Sequence, residues 1–103
     1  MKKVWKVTTE LTEDENKKLM SSMSEDEHQL MMNLELDLSV DVLEDDKVTS
    51  FVICNELNLE KLKSLLMNHD VKFSIVDTTD FFIDDQTNIE DLSEDSIYEK
   101  LGV

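Results

Sequence analysis

Residues 30–42 read LMMNLELDLSVDV, and the reading of this stretch decides the fold. Leu30, Met32, Leu34, Leu36, Leu38, Val40 and Val42 stand at every second position, with Met31, Asn33, Glu35, Asp37, Ser39 and Asp41 between them. Successive side chains of a strand point to opposite faces, so strict alternation predicts one long strand with an apolar face and an acidic face. The apolar face requires a covering layer.

Downstream, Glu44-Asp45-Asp46-Lys47 predicts a hairpin turn, because Asp tolerates turn backbone angles. The returning strand is Val48–Cys54, rich in β-branched and aromatic residues. Asn55 and Asn58 are both candidate caps for a helix whose apolar stripe is Leu59, Leu62, Leu65 and Leu66. Asn68-His69-Asp70 ends it, with Asn available for the left-handed position. Val71, Phe73 and Ile75 alternate with Lys72 and Ser74 as a fourth strand, extending toward Phe81, Phe82 and Ile83.

Upstream, Val4–Leu11 predicts a strand with Trp5, Val7, Thr9 and Leu11 on one face. Thr12 and Glu15 form a capping-box pair, which starts a helix over Glu13–Met23 burying Leu19, Met20 and Met23. Ser24 and Glu27 form a second such pair, and it starts either a short turn through Gln29 or the loop into the long strand.

The order strand, helix, strand, strand, helix, strand resembles the split β-α-β arrangement of ferredoxin-like domains. The expectation is a single α+β domain with a four-stranded antiparallel sheet over residues 1–83. Its helices lie on one face and the other face is wet. Residues 84–103 form an acidic C-terminal segment, in which Ile89, Leu92, Ile97 and Leu101 mark a short helix capped by Ser93 and stopped by Gly102.

Composition bounds the function. The 103 residues carry 25 acids against 10 bases, a net charge of -15, and every base is lysine. Direct nucleic-acid binding needs a positive footprint and bidentate phosphate contacts favour arginine, so that class is excluded, as is docking on an anionic membrane. The N-terminus has no apolar signal core, and no run approaches the ~18 apolar residues of a membrane span. Cytoplasmic residence is the expectation. The lone Cys54 fits a small buried hydrophobe in a reducing compartment.

Catalytic signatures are missing. One glycine cannot build a phosphate-binding loop, and no serine or threonine sits in a nucleophile elbow. His28 reads as a solvated residue without a second histidine at metal-ligand spacing. His69 suits the negative end of a helix dipole. The stretch Asp84-Asp85-Gln86-Thr87-Asn88 departs from a calcium loop, having Ile89 where glycine is needed and Asp95 where glutamate is needed. No enzyme, cofactor or metal is expected.

What is left is the acidic surface. Alternate strand positions place carboxylates about 6.8 Å apart, a negative row suited to a basic groove made for phosphates. The expected partner-binding residues are Glu35, Asp37 and Asp41, then Glu44, Asp45 and Asp46 beyond the strand, with Met31 as an adaptable apolar contact. Asp84 and Asp85 head a second acidic surface. The expected function is a small inhibitor that binds and blocks a basic nucleic-acid-acting protein. Such a protein is a phage or mobile-element counter-defence factor (an anti-CRISPR or anti-restriction protein), or a nuclease immunity protein or antitoxin. The alternative is an interaction or regulatory domain, homodimeric through its sheet edges, whose charge serves only solubility.

Overall fold

A computed structural model describes residues 1–83 and 86–102. Four strands, β1 (Lys3–Thr9), β2 (Leu38–Glu44), β3 (Lys47–Cys54) and β4 (Phe73–Asp77), form one sheet in the order β2-β3-β1-β4. Every neighbouring pair is antiparallel. The described helices are α1 (Glu13–Ser22), α2 (Glu25–Met32), α3 (Glu56–Asn68), α4 (Thr79–Phe82) and α5 (Glu94–Leu101), with a 3-10 turn at Ile89–Asp91.

The long strand expected over residues 30–42 is only half a strand. Leu30, Met31 and Met32 belong to α2, and pairing as β2 starts at Leu38. The Ser24 hydroxyl accepts from the Glu27 N–H at 3.2 Å, and the Glu27 carboxylate accepts from the Ser24 N–H at 3.3 Å. That reciprocal cap satisfies two orphan donors, and Glu25, Asp26 and Glu27 complement the positive end of the dipole. The helix so nucleated runs through residues that also fit a period of two. Within α2, Leu30 and Met32 stay exposed while Met31 packs against the core, and Leu34, two residues past the helix end, is the buried residue of the stretch. Met32, on the expected buried row, is 79% exposed, whereas Leu34 is 0% exposed. Glu35 then takes a left-handed φ of 52°, which breaks the alternation before the strand begins.

The sheet is covered on both faces, correcting the expectation of a wet side. On one face Val7, Val52 and Cys54 pack with Leu59 and Leu62 of α3 and with Leu34, flanked by Met31 and Leu36. On the other face Val4, Val40, Phe51 and Ile53 pack with Phe82 of α4 and Ile97 of α5. Leu38 and Val42 join that second cluster together with Ile89, Leu92 and Leu101. The C-terminal segment is therefore the second layer. Its helix has the expected ends, with Ser93 Oγ accepting from the Ser96 N–H and Gly102 closing it at φ 76°. Only Ile97 and Leu101 of the expected apolar face lie in it, Ile89 and Leu92 belonging to the 3-10 turn and its end.

Three smaller expectations shift. The fourth strand stops at Asp77, because its carboxylate accepts the Thr79 N–H at 2.9 Å and starts α4 where Phe81 and Phe82 were expected to continue the strand. Asp70, not Asn68, takes the left-handed position after α3, with φ 56°. In α1 no residue is buried, and Met20 is 39% exposed. Met23, just past its end, is buried as expected.

Candidate functional site: the acidic edge of the sheet

Strand β2 is an edge strand, so among the described residues its outer main-chain groups have no neighbouring strand. Along it Val40 is buried, whereas Asp41, Leu43 and Glu44 are exposed. Asp45 and Asp46 form a two-residue hairpin between Glu44 and Lys47, with φ of 50° and 64°. Two successive positive φ values are the geometry whose twist matches paired strands, and Asp tolerates it better than most side chains. The tip of the sheet at this edge thus presents Glu44, Asp45 and Asp46 together, all exposed.

The expected acids divide into groups rather than forming one row. Glu35 and Asp37 lie in the connector before β2, and Asp37 pairs with Lys2 at 2.5 Å. That contact raises the Lys2 pKa above its ordinary value. Asp41 points to the face covered by α1, α2 and α3, where its carboxylate accepts from the Ser50 hydroxyl at 2.6 Å. Glu44 points to the opposite face, held by Lys6 at 3.1 Å and by the Thr49 hydroxyl at 3.4 Å. Met31 does not share a strand face with these acids; it lines a cleft beneath α1 together with Leu36, Ser39 and Asp41. Asp84 and Asp85 lie outside the described residues.

The histidines and the cysteine have structural roles or solvent. His28 is exposed in α2. His69, at the C-cap of α3, contacts the Glu27 carboxylate through Nε2, an ion pair whenever the imidazole is protonated. This contact, then the Ser24 N–H, holds the Glu27 carboxyl below its usual range. The sequence offered no signal for this pairing, because 42 positions separate the two residues. Cys54 is 1% exposed, and burial pushes its thiol up to about 11. A thiol so raised is protonated and inert at neutral pH. Among the described residues no group of three or more His, Cys, Asp or Glu side chains is placed to hold a metal ion. Nor is any described helix long and apolar enough to cross a membrane.

Comparison of the chain with protein-family models, with curated proteins and with solved structures returned no match.

Proposed function

We propose that this protein is a non-enzymatic inhibitor that acts in the cytoplasm by occupying the basic groove of a nucleic-acid-acting protein. The observation that carries the reading is the acidic hairpin. Glu44, Asp45 and Asp46 stand exposed at the end of an edge strand, on a chain of net charge -15. The field of such a chain repels nucleic acid and anionic lipid and steers a basic partner, with association that weakens as salt rises. Lys2, Lys3 and Lys6 are engaged by Asp37, Asp77 and Glu44, which leaves the charge at the hairpin to Asp45 and Asp46. Counter-defence against CRISPR or restriction nucleases, and immunity or antitoxin action against a nuclease, are the contexts such chemistry suits.

The fold we read as an elaborated ferredoxin-like domain. The strand order β2-β3-β1-β4, with helices on the β1–β2 and β3–β4 connections, supports this. That architecture hosts many unrelated activities, so the function rests on the surface and not on the fold.

The test is capture from the native host at low salt, with the natural chain beside a Glu35→Gln, Asp45→Asn, Asp46→Asn variant. Asn keeps the left-handed geometry of the hairpin while removing its charge. The expected result is a nucleic-acid-acting protein that the natural chain binds and inhibits, with affinity falling steeply in salt and weakened in the variant. Recovery of the chain's own copies alone, or affinity flat in salt, overturns the reading. A second reading, a homodimer through the sheet edges, draws on Leu43 beside β2's open edge at 54% exposure and Val76 on the other edge strand at 56%.

A further inference from the structure

The helical layer does not close over the sheet. Between α1 and the strands lies a cleft of about 240 Å³. Its walls are Val7 and Val52 from the sheet, Leu62 and Leu65 from α3, and Met20 and Met23 from α1 and its end. The polar groups of its lining, apart from Thr9, come from the α1 and β2–β3 side: Asn16, Ser39, Asp41 and Ser50. Thr9 is engaged already, its hydroxyl donating to the Val48 carbonyl at 2.7 Å.

We propose that this cleft binds a small amphipathic cation, an arylalkyl or alkyl amine. Its apolar body would sit among the methionines and leucines, with its ammonium at the Asp41 carboxylate. Three observations select that class. The size is below the ~300 Å³ lower end of sites for drug-sized ligands, which suits a body of about ten non-hydrogen atoms and excludes a nucleotide or a long lipid. The charge is one-signed: Asp41 is the ionisable residue of the lining, so an anionic headgroup meets repulsion and a cation meets a carboxylate already oriented by Ser50. Lys17, on the outer side of the mouth, is paired with Glu13 at 3.4 Å. The lid is adaptable, since no residue of α1 is buried and methionine fills irregular space. This site is separate from the hairpin acids of the proposed inhibitor surface, and a small-molecule titration tests it without any protein partner.

The experiment is a titration of the full chain, labelled at methionine methyls and backbone amides, with phenethylamine. Neutral 2-phenylethanol and anionic 3-phenylpropionate are titrated in parallel. Phenethylamine is expected to move the Met20, Met23 and Met31 methyls and the Ser50 amide saturably, and 3-phenylpropionate to leave them in place. Asp41→Asn is expected to weaken the amine by up to about fivefold, the upper end for an exposed ion pair, and to leave 2-phenylethanol unchanged. Shifts confined to surface acids with still methionine methyls overturn the site, as does equal binding of the anion. Methyl shifts that track protein concentration alone mean that a second copy fills the cleft, and also overturn it. The amine-against-anion comparison uses the natural chain, so it decides the matter even if the variant does not fold.

Discussion

Glu27 and His69 join two helices at opposite kinds of end: Glu27 in the first turn of α2, His69 at the C-cap of α3. Glu27 does two tasks, since one of its oxygens also accepts the Ser24 N–H. Replacing it with glutamine keeps an acceptor for the cap and removes the charge that His69 meets. Glu27→Gln is therefore expected to lower the melting temperature at pH 7, where Glu27 is ionised. Ser24→Ala, which removes the side-chain cap of α2, is expected to cost about 1 kcal/mol. Thermal unfolding followed by circular dichroism reads both.

The pH dependence has a definite sign. Glu27 is held below its ordinary value of 4.5 by His69 and Ser24, Glu15 likewise by Thr12, and Asp77 below 3.8 by Thr79 and Lys3. Groups with lowered folded values contribute stability above their unfolded values and lose it as pH falls through the folded ones. Against this, protonation relieves the self-repulsion of a chain with net charge -15. Melting temperature is thus expected to rise as pH falls from 7 to about 5 and to drop below about 4. The rise flattens in salt, which screens repulsion. In Glu27→Gln the acid limb becomes shallower. A melting temperature that climbs steadily down to pH 3 would show these contacts to contribute nothing.

How much of this was legible in the sequence depends on the range of the interactions. Caps are local, and both capping boxes, the Ser93 cap and the Gly102 stop could be read directly, because each links residues within a few positions. Residues 30–37 misled because alternation over the first few letters does not exclude a helix that begins upstream, and the Ser24–Glu27 cap carries α2 through Leu30, Met31 and Met32. The acidic row failed for the same reason: once Glu35 takes a positive φ, Glu35 and Asp37 leave the strand face that Asp41 occupies. The second core layer was invisible to local patterning. Val4 and Val7 both look like ordinary strand residues, and only the return of α4 and α5 across the sheet explains why both faces of β1 are buried.

The hairpin supplies a prediction that separates stability from function. Asp46 sits at φ 64°, where a residue with a Cβ is strained by about 1 kcal/mol and glycine is not. Asp46→Gly is expected to raise stability by about that amount, since it relieves the strain and one of two adjacent like charges. If the hairpin acids bind a basic partner, the same substitution weakens that complex. Higher chemical-denaturation midpoint with lower affinity is the expected pair of results, and an affinity unchanged by Asp46→Gly and Asp45→Asn together removes the hairpin from the interface.

Cys54 tests the packing between β3 and its neighbours. Its carbonyl accepts the Trp5 indole N–H at 3.1 Å, while its side chain is buried with Val52 and Leu59. The thiol is expected to resist a disulfide reagent at pH 8 in the folded chain and to react at once in denaturant. Fast labelling of the native protein would mean that this face opens locally.

The C-terminal segment provides the sharpest test of the two-layer core. Ile97 is 0% exposed and meets Val40 of β2 and Phe51 of β3 through the shared cluster, where Phe51 and Phe82 stack edge-on at 5.4 Å. Truncating it leaves a cavity that a short helix cannot collapse into, because α5 is fixed at both ends by Ser93 and Gly102. Ile97→Ala is expected to cost about 2–5 kcal/mol, a large fraction of the stability of a small domain. The unfolding should not be confined to the tail: Leu38, Val40 and Val42 lose their cover together, so β2 protection against hydrogen exchange falls with that of α5. If exchange rises only beyond residue 86, the segment is an appendage and the sheet keeps its core without it.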